Sequence, residues 1–429
     1  MKMNNIPAGA EYELFSEHTK TSEVSYAGSK FERISTKGAL NNRLRLLVDG
    51  KIVTVNSTDP NGADKMMQDA AQMAKYGSTY NEKFAKAAQI NPLTLFDAAT
   101  LSSKQMIEMM NGFVEDLKKL DSRLTVQAGL THKVREISLK TSEGFDHGYQ
   151  TSFWQVSAFV TLVQGDDRFD IYDYRQSMRP DFDMKSIIAE IDQKLKWGEK
   201  VVDFKAGAYP VIFAPGQSSY ILNPVVESLG GQAFYDKTSP WVDKLGEKLI
   251  DPRITLVDDG TLDNTFTSRP FDAEGTPTGR NVLVENGVIK TIFLDNKYAA
   301  RLGKASTGNG GPLGPATNYI EMAPGTKSID DMIKSIGYGV IIYDTMGAWS
   351  GNPFAGIVSG TISVGLKIEN GQIAGRIKDC MFTANAFEHL NKHLVDLSSE
   401  RKQVEVELGG DIIANLPYMQ LDEVVISAE

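Results

Sequence analysis

The sequence predicts an α+β protein of two domains: a sheet-plus-helices domain over residues 1–200 and a β-rich domain over 201–429. Three observations carry this reading. Apolar residues recur at helical spacing in three segments of the first half. Between residues 124 and 174 the period changes to two, the mark of strands with one buried face. Beyond residue 250, short apolar runs alternate with turn formers almost throughout. Strands with helices packed on them, followed by a run of strands, make an α+β chain.

In order, Glu11–Phe15 reads as a short strand, Leu44–Val48 as a clearer one, and Asp49-Gly50 as the hairpin turn before Lys51–Val55. Asn61 is placed to cap a helix with Ala63, Met66, Met67, Ala70, Ala71 and Ala74 on one face. A second helix opens at Ser102, where Gln105 completes a capping box. Its stripe of Met106, Met110, Phe113, Val114, Leu117 and Leu120 reads as gap-filling core rather than as a binding face. Trp154, Val156, Ala158, Val160 and Leu162 alternate along a strand, and Phe169 and Ile171 continue the pattern in the next. A third helix over 184–197 carries Met184, Ile187, Ile188, Ile191 and Leu195, with Gly198 placed to end it. The charged segment 198–207 is the expected linker. Tyr209–Phe213 is a strand with Pro210 near its start, and a helix is predicted over 217–231, kinked or split at Pro224. Asn286-Gly287 lies between Val282–Val284 and Val288-Ile289, and Asn370-Gly371 repeats the arrangement, so both read as hairpins of one large β-structure. Phe387–Leu397 is predicted as a short late helix and Val404–Leu408 as a strand.

Composition excludes some functions. A net charge of −10, without any long Lys/Arg run, argues against a nucleic-acid surface. The first residues lack the apolar core of a secretory signal, and no stretch approaches the ~20 apolar residues of a membrane span. The single cysteine, Cys380, cannot form an internal disulfide, so the cytoplasm is the expected compartment.

The most specific stretch runs from Leu256 to Gly310. It contains LVDDGTL (256–262), RPFDAEGTP (269–277), LVENGVIKTIFLDNKYAARLG (283–303) and STGNG (306–310). These segments resemble the signature region of the TldD/PmbA family, in its PmbA (TldE) branch. The likeness continues through VDKLGEKLIDPRITL (242–256) and TNYIEMAPG (317–325), covers the carboxy-terminal half, and is looser before it. It implies a barrel-like carboxy-terminal domain and a dimer, either a homodimer or a heteromer with a TldD-type protein. The family usually begins with a helix ahead of its first strands. Here only ten residues precede Glu11, Pro7 and Gly9 among them, so that helix is expected to be missing, which puts the amino-terminal packing and the dimer contact it makes in question.

In the metal-bearing branch, the corresponding helix carries His-Glu-x-x-x-His. This chain reads Val226-Glu227-Ser228-Leu229-Gly230-Gly231. With Glu227 matched to the family Glu, the ligand positions hold Val226 and Gly231, and neither offers a lone pair to zinc. The resemblance therefore implies no catalytic residue and no cofactor, with Glu227 a remnant of the motif. Taken alone, Glu227 reads as an ordinary, partly exposed helix residue. A second metal candidate is Cys380 with His389 and His393, two histidines at i, i+4 on one helix face. That pattern lacks the Glu of a zincin motif and also fits a solvated face with two unrelated histidines. The Gly-rich loop Thr307–Pro312 fails as a P-loop and as a dinucleotide fingerprint. It reads as a structural turn, or, by the resemblance, as a surface loop near the subunit or substrate groove. Asp258, Asp259, Asp263, Asp272 and Glu274 lack calcium-loop spacing and read as turn formers.

The function the resemblance implies is that of a metal-free TldE/PmbA-like subunit of a metallopeptidase complex acting on unfolded peptides. This chain would supply structure and part of a substrate channel, and a TldD-type partner would supply zinc. Two alternatives stand beside it. One is a stand-alone metallopeptidase with a relocated zinc site at Cys380, His389 and His393. The other, after the family's older label, is a regulator of DNA gyrase acting through protein partners.

Overall fold

The structure, a computed structural model, describes residues 6–80, 83–348 and 351–428. Residues 1–5, on which the missing-helix expectation partly rests, lie outside it.

The first sheet has seven antiparallel strands. They are β1 (Glu11–Ala27), β2 (Lys30–Val48), β3 (Lys51–Ser57), β4 (Ser78–Thr79), β5 (Leu124–Thr141), β6 (Asp146–Gln164) and β7 (Asp167–Ser177), in the order β4-β3-β2-β1-β5-β6-β7. Three helices cover one face: α1 (Ala63–Met73), α2 (Ser103–Leu120) and α3 (Met184–Gly198). The predicted stripes face the sheet. Met66, Met67 and Ala70 pack on Leu44, Leu46 and Val53. Met106, Met110, Phe113, Val114, Leu117, Ile187 and Ile191 pack on Val126, Leu130, Trp154, Val156 and Val160. The Ser102–Gln105 capping box forms as expected.

Several expectations need correction. The first strand is 17 residues long, far beyond Glu11–Phe15. Its continuation, Ser16 to Ala27, has little apolar alternation, but β2 and β5 bond it on both edges along most of its length. Backbone pairing and not patterning extends it. The cap of α1 is Gly62, without a side-chain bond; Asn61 instead donates its N–H to Asp59. Gly198 is the last residue of α3, not a residue beyond its end. A Cβ there would lie 2.3 Å from the Phe169 ring, so close packing requires the glycine.

The second sheet contains β8 (Gly207–Phe213), β9 (Leu256–Asp259), β10 (Arg280–Glu285), β11 (Val288–Ile289), β12 (Tyr319–Met322), β13 (Tyr338–Met346), β14 (Ile357–Glu369), β15 (Gln372–Ile377), β16 (Cys380–Asn385), β17 (Leu394–Glu407) and β18 (Asp411–Ala428). The path β8-β13-β14-β16-β18 closes on itself through a β18–β8 pairing, giving a five-stranded barrel. From β18 the sheet extends through β12, β9, β10 and β11. Helix α4 (Pro215–Ser228) follows β8 and is deeply buried; Ile221, Leu222, Val225 and Val226 are fully enclosed by the barrel core. It passes through Pro224 without ending and breaks at Leu229-Gly230, before α5 (Gly231–Tyr235). Short helices α6 (Asn296–Arg301), α7 (Ile329–Lys334) and α8 (Ala386–Glu388) complete the fold. The late helix is shorter than predicted: one π-helical turn, His389–His393, follows α8, and β17 begins at Leu394. The Asp49-Gly50, Asn286-Gly287 and Asn370-Gly371 turns all have positive φ at both residues, as type I′ turns require. The two Asn-Gly hairpins, β10–β11 and β14–β15, belong to the same sheet.

The face of the first sheet opposite its helices meets the second half of the chain. Leu139, Phe145 and Phe271 form a small joint core, with Phe145 and Phe271 edge to face at 5.2 Å. Fully buried Glu13 accepts two bonds from Arg45, at 2.7 and 2.8 Å. Arg45 also reaches Glu274 at 3.4 Å, and Arg43 donates to the Ala273 carbonyl at 2.9 Å. This chain of charges fixes the 269–277 turn against β1 and β2.

Candidate functional site

Strand alternation decides which side chains face the second half. On β1, β2 and β5, Leu14, Leu44 and Leu130 point to the helices. Their odd-numbered neighbours point the other way. Cross-strand pairing sets Phe15 beside Arg43, Glu17 beside Ile137, Tyr149 beside Ile137, and Arg135 beside Thr151. These residues form the floor of a groove of about 1210 Å³ between the sheet and the second half. Its walls are the end of α4 at Glu227, α5, the segment from Phe266 to Ala273, the loop from Pro312 to Asn318, and the Gly409-Gly410 turn between β17 and β18.

Glu227 lines this groove, half-buried. Burial pushes its pKa up, opposed by a hydrogen bond from the Gly409 backbone N–H. The two positions beside it do not fit a metal. Val226 is enclosed in the apolar core. Gly231 bonds through its N–H to the Phe293 carbonyl, and a Cβ on it would lie 2.5 Å from Leu294 Cδ2 and 3.1 Å from Tyr298 Cβ. A side chain at 231 would therefore have to displace Leu294.

The other metal candidates are placed differently. The Cys380 thiol lies in the barrel core, donates to the Lys378 carbonyl at 3.0 Å, and has its pKa raised by burial. The His389 and His393 rings are 5.2 Å apart. His389 is itself buried, with Nδ1 2.8 Å from the Asn385 carbonyl and Nε2 3.3 Å from that of Glu423. Among the described residues, no three His, Cys, Asp or Glu side chains group to hold a metal ion, so Cys380 does not join the two histidines.

The acidic residues of the 258–274 stretch turn out to be more than turn formers. Asp258 lies inside β9 and is fully buried. It accepts from the Asn309 side chain at 2.6 Å, from Asn318 N–H at 2.6 Å and from Tyr319 N–H at 3.0 Å. Asp272 accepts from the N–H groups of Glu274, Thr276 and Gly310 at 2.9, 2.9 and 2.7 Å. These two carboxyls anchor the Gly-rich loop. Gly308, Asn309 and Gly310 are buried, and of this loop Pro312 alone lines the groove, so the expected surface loop is mostly an interior turn whose end reaches the groove. Burial raises the pKa of Asp272 to about 6, against the charge of Arg269. Burial, and then the charge of Asp272, raise Glu274 to about 7, against Arg45. The sequence reading missed Arg43, Arg135, Tyr149 and Arg269 as groove residues. One signal was present: Arg43 and Arg45 alternate with Leu44 and Leu46, which marks a strand whose second face is charged.

The profile of the PmbA/TldA metallopeptidase C-terminal domain matches residues 206–428. A metalloprotease TldD homolog of Buchnera aphidicola is 31% identical over 195 residues, which are 44% of this chain and 40% of that protein. This chain therefore matches less than half of that relative's length. The crystal structure of TldE from Thermococcus kodakarensis superposes with a TM-score of 0.86 at 24% identity, covering 97% of each chain. A Thermotoga maritima structure labelled a modulator of a DNA gyrase also gives 0.86, at 23% identity, covering 98% of this chain and 96% of that one. The two superpositions establish a shared fold, and the profile match over more than half of the sequence places this chain in the PmbA/TldD family of metallopeptidase-like proteins.

Proposed function

We propose that this chain is a TldE-like subunit that binds no catalytic metal, holds unfolded peptide in the groove between its two sheets, and works with a TldD-type partner that supplies zinc. The observation that carries the proposal is the end of α4. With Glu227 matched to the motif Glu, the two histidine positions fall on core-buried Val226 and on Gly231, where Leu294 crowds the space a side chain would need. A catalytic zinc needs three protein ligands and an open position. Glu227 therefore faces the groove without the metal-bound water it would activate. The groove's size and its mixed aromatic and polar lining, with Phe15, Tyr149, Phe266 and Phe293 beside backbone-rich glycine turns, favour an extended peptide.

We also propose that the chain divides into domains at residues 200 and 201, since the strands of the first sheet end at Ser177 and those of the second begin at Gly207. A cytoplasmic location is consistent with the single cysteine, and no described helix is long and apolar enough to cross a membrane. The test is metal content by mass spectrometry together with size on the same sample, followed by mixing with a TldD-type protein. We expect no stoichiometric zinc in this chain alone, a dimer, and peptide cleavage only in the mixture. Zinc near one per chain, or cleavage by this chain alone, would overturn the reading.

A further inference from the structure

One end of the groove holds hydrogen-bond donors that the protein itself leaves unused. Arg135 is fixed through Nε to Glu17 at 2.6 Å. Arg269 is fixed through Nε to the Asn318 side-chain oxygen at 2.6 Å. Among the described residues, the terminal nitrogens of both guanidiniums make no hydrogen bond, and neither does the Tyr149 hydroxyl. All three side chains line the groove, and the charges of Arg269 and Arg135 both act on that hydroxyl. Thr267, two residues from Arg269 and also in the wall, has a buried hydroxyl without a partner. The neighbouring acceptors are already engaged: Asp272 takes three backbone N–H groups, and Glu17 holds Arg135. The result is a cluster of oriented donors facing an open space, with planar guanidiniums anchored on one edge and free on the other. That arrangement suits a carboxylate, which accepts paired N–H bonds from arginine.

We propose that Arg135, Arg269 and Tyr149 form a carboxylate-binding subsite of the groove, which takes either the terminal carboxylate of a bound peptide or an acidic side chain within it. The inference rests on the peptide-groove reading above. The probe is a fluorescein-labelled flexible peptide of Ala, Gly, Leu and Ser in three forms: free acid, carboxy-terminal amide, and amide with one internal Glu. Polarisation is read with the full chain, alone and mixed with a TldD-type protein. A carboxylate form should bind on the order of tenfold tighter than the plain amide, the worth of a charge-assisted pair. Preference for the free acid alone assigns the site to the terminus; equal gain from the Glu form assigns it to any carboxylate. Arg135→Gln and Arg269→Gln should erase the gain, so that each variant binds the acid and amide forms alike. Tyr149→Phe, which keeps the ring packing, should reduce the gain severalfold even if an arginine variant fails to fold. Equal binding of all three forms would overturn the subsite while leaving the peptide groove intact. Binding of none would overturn both.

Discussion

Glu274 gives the sharpest test of the interface between the two sheets. It is 8% exposed, accepts from the Asn296 N–H at 2.8 Å, and shares its surroundings with Asp272 and Arg45. Its pKa rises from 4.5 to about 7 through burial first and the Asp272 charge second. At mildly acid pH the folded protein therefore keeps a proton that the unfolded chain has released. Stability from this group is full below the unfolded pKa and is lost as pH rises through the folded one. Between about pH 5 and about pH 8, linkage gives a loss of roughly 2.5 kcal/mol from Glu274. Asp272, raised to about 6, adds roughly 1.4 kcal/mol over the same range. Glu274→Gln removes one titration while keeping shape and an acceptor for Asn296. The variant should match the parent in urea denaturation at about pH 5 and exceed it by about 2.5 kcal/mol at about pH 8. Buried carboxyls away from Glu274 contribute equally to both proteins, and loss of the Glu274 charge also eases ionisation of Asp272 in the variant, which adds to the difference in the same direction. Parallel curves, or a parent that gains on the variant as pH rises, would refute the reasoning.

Asp258→Ala strands the N–H groups of Asn318 and Tyr319 and the Asn309 amide in the interior, and should cost about 4 kcal/mol in chemical denaturation. Gly287 and Gly50 have similar positive φ, 78° and 72°, but a Cβ on Gly287 would lie 2.1 Å from the Ile250 carbonyl oxygen, while Gly50 has open space. Gly50→Ala should cost about 1 kcal/mol from backbone strain alone, and Gly287→Ala several times more; equal melting shifts would reject the steric account. Ser102→Ala removes the capping box of α2 and should cost about 1 kcal/mol. Placing histidine at both positions, Val226→His with Gly231→His, should lower the melting temperature without recruiting zinc, because Val226 is enclosed in the core and Leu294 and Tyr298 crowd Gly231; stoichiometric zinc in the folded double variant would contradict this.

Helices α1 to α3 and the Asn-Gly hairpins were legible because a local pattern specifies each. Periodicity marks the buried face, a capping box marks a start, and an Asn-Gly pair marks positive φ. The outer part of β1 was not legible, since Glu17 to Glu23 has no buried face and exists as strand only through its neighbours' hydrogen bonds. Asp258 was misread for a related reason. Asp beside Asp-Gly is a turn signal in isolation, yet here Asp258 is held in β9 by partners that arrive from 309 to 319.

The end of α4 separates what a sequence states from what a structure adds. The sequence states that Val226 and Gly231 carry no metal-binding atoms. It does not state that the space is filled, since Leu294 and Tyr298 lie more than sixty residues away. A lost ligand in an open site could be supplied by a neighbouring side chain or by a partner. A lost ligand whose place is packed with apolar side chains cannot be replaced without repacking the core, at a cost of about 1–3 kcal/mol. The groove beside it remains open, with Glu227, Arg135, Arg269 and Tyr149 facing one space. Arg135 and Tyr149 come from the first sheet, Glu227 from α4 and Arg269 from the segment between β9 and β10, so no local pattern could have joined them. Under the proposed reading, apolar packing at 226 and 231 beside an open groove fits a subunit that holds a chain in place while another protein supplies the chemistry.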